Sequence, residues 1–313
     1  MNTLLVNFGG PRYKQEIAPF LTELLQDRDV IRTRLPRFLH NWIFARVARK
    51  RAVKIAHDYD LIGGRSPIYF DTEAIADSLR AKTGNEVITF HRYLPATHAM
   101  SLRKVEACKS DSILVLPLFP QYCSATTGSI ARFLSTYLSP AAQKKLRWIR
   151  SYADHPAFIA SYQRRIRDTL AGLKLKEEET ALLFSAHGVP QSFIDTGDIY
   201  QAECERSFEA VKKAFPKALC RLSYQSKFGP GEWIRPYTDE SCQKAPNWIQ
   251  GRPNIVVVPL SFTSDHIETL FEIEHLYLPM LRANGLSAHR CPALNREPYW
   301  LEALTTILQN VAL

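Results

Sequence analysis

The chain has 313 residues, 46% hydrophobic and 23% charged, which allows two domains of ordinary size and excludes a disordered polymer. No stretch reaches the ~20 apolar residues of a membrane span, and MNTLLVNFGGP lacks the basic and long apolar regions of a signal peptide. Net charge is +9, from 40 basic and 31 acidic residues, and the six cysteines (Cys108, Cys123, Cys204, Cys220, Cys242, Cys291) form no C-x-x-C pair. The expectation is a cytoplasmic protein with reduced thiols.

Apolar runs that are continuous rather than alternating mark strands buried on both faces. In chain order they fall at 4–8, 86–90, 112–119 and 146–149, then at 181–185, 219–224, 254–260 and 287–290. Helical stretches alternate with them, which predicts βαβ units and two parallel, helix-flanked sheets of Rossmann-like type. Domains are expected at 1–150 and 151–299, with a C-terminal helix over 300–313 packing back on the first. S-I-L-V-L-P-L-F-P (112–120) and N-I-V-V-V-P-L-S-F (254–262) are both strands ending in Pro-Leu before a Ser/Thr-rich turn, which suggests duplication. Ligands of such sheets sit at the carboxyl ends of strands.

Residues 30–54 carry Arg32, Arg34, Arg37, Arg46, Arg49, Lys50, Arg51 and Lys54 and no acid. That segment holds +8 of the net +9. Phe38, Leu39, Trp42 and Ile43 share one helical stripe beside it. The pattern fits a helix resting on an anionic membrane, or a solvated basic helix over a core. No nucleic-acid motif accompanies it.

Three strand-end turns follow. Gln121–Ser129 has no G-x-G-x-x-G and no Walker sequence, so a capped helix start is the better reading than a nucleotide site. Ser185-Ala186-His187-Gly188-Val189-Pro190 places His187 at a strand end, as a base, a metal ligand or a loop-filling side chain. Ser264–Glu272 puts Glu268 and Glu272 four apart on one helix face, with His275 beyond. Carboxylates and imidazole suit ferrous iron. Asp265 followed by Glu268 is also a capping-box pattern.

Together these residues resemble ferrochelatase. N-F-G-G-P (7–11), I-G-G-R-S-P-I (62–68), H-R-Y (91–93), P-Q-Y-C-S-A-T-T-G-S (120–129), S-A-H-G-V-P (185–190), Y-Q-S-K-F-G-P-G-E-W-I-R-P-Y-T-D-E (224–240) and S-D-H-I-E-T-L-F-E (264–272) match the family's motifs in the family's order. The resemblance implies two similar Rossmann-like domains with a porphyrin between them. It implies His187 and Glu268 as iron ligands and proton acceptors, with Glu272 continuing an acidic path to which Asp265 is a further candidate. Position 276, an acid in some members, is Leu here. Arg51, Tyr59 and Ser66 match positions near the propionates. Phe8, Arg92, Tyr93 and Trp233 match pocket-lining positions, and residues 30–54 match the lip.

The implied reaction inserts ferrous iron, a substrate, into protoporphyrin IX with loss of two protons. No organic cofactor is implied. No iron–sulfur cluster is expected either, because the Cys-rich extension of some members has no counterpart here. Members that use coproporphyrin typically carry Tyr where this chain has Phe8, so protoporphyrin IX is the expected substrate. Entry of iron requires the inner protons to leave and the macrocycle to distort, which peripheral binding must support. Another metallochelatase, or a porphyrin carrier without turnover, is the competing reading.

Overall fold

In the computed structural model, which describes residues 1–311, the apolar runs become eight strands in two four-stranded parallel sheets. The first comprises β1 (Asn2–Asn7), β2 (Val87–His91), β3 (Ile113–Pro117) and β4 (Leu146–Trp148), in the order β2-β1-β3-β4. The second comprises β5 (Thr180–His187), β6 (Leu219–Gln225), β7 (Asn254–Pro259) and β8 (Ser287–Arg290), in the order β6-β5-β7-β8. Each strand lies within two residues of its expected bounds. Leu4, Leu5 and Val6 in β1, and Val256, Val257 and Val258 in β7, are fully buried, as central parallel strands require. Each such side chain contributes roughly 1.5–3 kcal/mol.

The chain divides into two compact units, Met1–Ser151 with the residues from Thr305 onward, and Tyr152–Leu304. The last helix, Pro298–Val311, starts in the second unit. There Trp300 is fully buried, its ring 6.4 Å from Tyr152 and 6.1 Å from Phe158. Positions 312 and 313 of the expected helix lie outside the described residues.

The two sheets share one strand order, and their central strands end alike. Pro117 pairs with Val6 and Pro259 with Ser185. Proline has no N–H to give to a ladder, so the next residue closes it. Leu118 N donates to Val6 O and Leu260 N to Ser185 O, both at 2.9 Å. By this register Phe8 in the first unit corresponds to His187 in the second, and a glycine follows each. Beyond each proline the chain turns into a π-helix, Ser124–Gly128 and Glu268–Tyr277. These are wider i→i+5 windings, uncommon and often found at functional sites.

The basic segment forms most of the helix Arg37–Leu61. His40, Ala48, Ala52 and Tyr59 face inward at near-helical intervals. The apolar stripe is split: Phe38 and Trp42 are 76% and 57% exposed, while Leu39 and Ile43 are half-buried. The loop before this helix is tied to its own unit by Asp27, which accepts from Arg92 and Tyr93, and by Arg32, which donates to Ser124.

Candidate active site

His187 is the last residue of β5, where the strand leaves the sheet. Its backbone is held on both sides: its N donates to Ser261 Oγ at 2.9 Å, and its O accepts from Tyr200 at 2.9 Å. The ring Nδ1 bonds the carbonyl of Gly188. A carbonyl only accepts, so Nδ1 carries the proton and a neutral ring presents its lone pair at Nε2. Gly188 has no room for a side chain. A Cβ there would stand 2.9 Å from Gln225 O and 3.3 Å from the ring of Trp233.

Glu268 opens the π-helix. Its Oε2 is buried and makes no hydrogen bond, yet it lies 3.5 Å from His187 Nε2 and 3.6 Å from His266 Nε2. Burial opposes the charge on this carboxylate, but the two imidazoles and nearby donors outweigh it and hold the group well below the usual carboxylate range. Glu272 follows four residues later, on the same side of the wide helix. Burial first, and then the charge of Glu268, push its carboxyl well above the usual range. The pair thus separates into a charged and a proton-holding member, a division that suits acid–base work. Ser226, Tyr277 and Gln225 donate to Glu272 Oε2 at 2.7, 3.2 and 3.3 Å. Ser226 stands in the left-handed region at φ 64°, a conformation a non-glycine residue adopts at some cost.

Asp265 is spent elsewhere. It accepts from Thr269 Oγ1 at 2.7 Å, from Arg290 at 2.8 Å and from Asn295 at 2.8 Å. Arg290 also bonds Glu274. The helix has no side-chain cap bond, so the capping box read from the spacing does not form; Asp265 instead anchors the loop before Glu268. His275 is exposed and stacks on Phe271.

In the first unit, Phe8 is half-buried and packs edge-on against Tyr93, with ring centroids 4.5 Å apart. Tyr93 is fully buried and Arg92 nearly so. Their polar ends meet at Asp27 Oδ2, each at 2.8 Å, and Arg92 Nε reaches Ser129 at 2.9 Å. They therefore support Phe8 and the loop at Asp27, while Arg92 Nη1, 3.8 Å from Glu23, makes no hydrogen bond among the described residues. Ser66 is buried against Gly10, where a Cβ would lie 2.6 Å from it. Tyr59 is buried and Arg51 exposed. In the second unit Trp233 is buried beside Phe228, at 5.2 Å.

The structure thus joins His187, Glu268 and Glu272 in one cluster and leaves Asp265 bonded to other partners. Sequence reasoning missed three members: His266, Gln225 and Ser226. His266 stands two residues before Glu268, and Gln225 and Ser226 end β6 within a quoted motif. Only the strand register shows that they meet the helix. The cluster offers a lone pair, a charged oxygen without a hydrogen bond and a second carboxyl, which suits accepting protons and a divalent cation together.

The ferrochelatase family model matches residues 2–312. Ferrochelatase of Chlamydia felis is 42% identical over 307 residues, covering 98% of this chain and 95% of the relative. That of Chlamydia trachomatis serovar A is 43% identical with the same coverage. Among solved structures, SirB from Bacillus subtilis with Fe3+ has a TM-score of 0.57 at 12% identity, covering 100% of this chain and 96% of that one. CbiX, a terminal enzyme of siroheme biosynthesis in denitrifying bacteria, has 0.55 at 15%, covering 99% of both. These two likenesses speak to the fold, two parallel α/β sheets of chelatase type. The sequence matches run over nearly the whole length, and the chain belongs to the ferrochelatase family.

Proposed function

We propose that the chain inserts ferrous iron into protoporphyrin IX, with His187 and Glu268 as the residues that meet the metal and take up the protons. Insertion of iron into a porphyrin is the activity of its family. The observation that carries the residue assignment is Glu268 Oε2: buried, without a hydrogen bond, and flanked by two imidazole nitrogens. A buried charge with an unfilled acceptor is costly unless something completes it. Incoming iron does so, and so does a proton delivered to His187 Nε2, which would then sit as imidazolium against the carboxylate. Glu272 passes protons onward, and Asp265 acts on this path only by holding the loop. Among the described residues no three His, Cys, Asp or Glu side chains are placed to close round a metal. The remaining positions of the cation fall to water and the pyrrole nitrogens. The six thiols are spread over both units and no iron–sulfur cluster enters this reading.

Replacing His187 by Ala should abolish insertion while porphyrin binding persists, because peripheral contacts hold the macrocycle. Fluorescence titration and an insertion assay on the same variant test this. Near-normal turnover would remove His187 from the mechanism.

Phe8, Arg51, Tyr59, Ser66, Arg92, Tyr93 and Trp233 are the porphyrin-side residues of this reading, the buried ones acting mainly by shaping the surface. Phe8 offers an aromatic face and no donor atom, which suits an apolar macrocycle with vinyl edges. The expected outcome is a higher kcat/KM with protoporphyrin IX than with the four-propionate coproporphyrin. The reverse preference would reassign the basic segment to substrate recognition.

The same segment is proposed to rest on an anionic membrane from the cytoplasmic side. No described helix is long and apolar enough to cross one. Phe38 and Trp42 are largely exposed, with Arg46 stacked 4.7 Å over Trp42. Neutralising Arg46, Arg49 and Lys50 together should weaken vesicle binding by about 1 kcal/mol per charge, and salt should act likewise. Equal sedimentation of variant and parent with anionic vesicles at low salt would contradict the contact.

A further inference from the structure

Gln225, the last residue of β6, is only 2% exposed and touches both elements that carry the cluster. Its Oε1 accepts from Ser185 Oγ at 2.7 Å, two residues before His187. Its Nε2 donates to Glu268 O at 2.8 Å and to Glu272 Oε2 at 3.3 Å. The orientation of this amide is dictated by chemistry. The carbonyl of Glu268 can only accept, so the NH2 end must face it. A flipped amide would set its oxygen against that carbonyl and take the acceptor away from Ser185.

What prevents the flip lies further from the metal. Ser185 has one hydroxyl proton and gives it to Gln225 Oε1. At the 2.8 Å contact between Ser185 Oγ and Thr238 Oγ1, the donor must therefore be Thr238. Ser223 Oγ lies 2.9 Å from Thr238 Oγ1 but donates to Phe184 O at 3.1 Å. Ser185, Thr238 and Ser223 are all fully buried. Hydrogen bonds in such a dry chain polarise one another, and each member fixes the next. The chain runs in one direction, from Thr238 through Ser185 to Gln225, and ends on the two glutamates.

We infer that Gln225 is a positioning residue for the metal cluster, and that the buried hydroxyls of Ser185 and Thr238 set its orientation. Gln225 fixes the backbone of Glu268 at the first turn of the π-helix. With Ser226 and Tyr277 it also holds Glu272 by one oxygen, Oε2. Glu272 Oε1 accepts no hydrogen bond among the described residues and is left to serve the cation or the proton. The inference rests on the reading of Glu268 and Glu272 given above. It adds that iron handling depends on buried groups outside the pair assigned to the metal.

The test compares steady-state KM for ferrous iron with KM and Kd for the porphyrin, on the full chain. Gln225→Leu should raise KM for iron roughly tenfold or more, the cost of leaving buried hydrogen-bonding groups unsatisfied. Porphyrin Kd should stay within about twofold of the parent's, since these side chains are buried. Ser185→Ala should move the same constant in the same direction, and it decides the matter if Gln225→Leu does not fold. Thr238→Val should resemble Ser185→Ala, whereas Thr238→Ser, which keeps the hydroxyl, should resemble the parent. A folded Gln225 or Ser185 variant with unchanged KM for iron would overturn the inference, as would an equal rise in both constants. Glu268→Gln, run alongside, separates the two levels. If it too retains parental turnover, the reading of the site has failed rather than the role of Gln225.

Discussion

A carboxylate kept charged inside a protein must be balanced, and at Glu268 the balance is left incomplete. Two imidazole nitrogens stand near its buried oxygen, close enough to favour the charge and too far to hydrogen-bond it. Most of the second unit can be understood as the means of holding that arrangement. β5 delivers His187 with its backbone tied on both sides. Gly188 lets Gln225 and Trp233 close in beneath it. Asp265, bonded to Arg290 and Asn295, fastens the loop from which the π-helix starts. An isolated charge in such surroundings would be neutralised or exposed; here two imidazoles and nearby donors favour it.

The two units share one topology and have diverged at one position. Where the second unit ends its central strand in His187, the first has Phe8 just past the end of its own, and each residue is followed by glycine. The first unit gathers Arg92 and Tyr93 at Asp27 and packs Phe8 against Tyr93. On the proposed assignment the same fold would serve the metal in one unit and the apolar macrocycle in the other, with function residing in the site rather than the fold.

Much of this was legible in the chain itself. The strands were readable because buried parallel strands are continuous apolar runs, and the Pro-Leu strand ends marked the duplication. His187, Glu268 and Glu272 stood out as chemically suited residues at strand and helix ends. The residues that were not legible fail for a common reason. Gln225, Ser226 and His266 act through the register of strands and the width of a helix turn, which local patterning does not encode. A π-helix has the apolar periodicity of neither an α-helix nor a strand. The Asp265 capping box was a sound local rule overridden by a stronger tertiary partner, Arg290. The apolar stripe on the basic helix split because inward and outward faces depend on what lies beneath, at His40 and Ala48.

The central claim is that His187 and Glu268 together receive the metal. Crystals soaked with manganous or cobaltous ion, as stand-ins for ferrous iron, and measured at the absorption edge of the metal would test it most directly. The account predicts an anomalous peak within bonding distance of both His187 Nε2 and Glu268 Oε2, lost in the Glu268→Gln variant. A peak bound elsewhere, with that pair left empty, would contradict it.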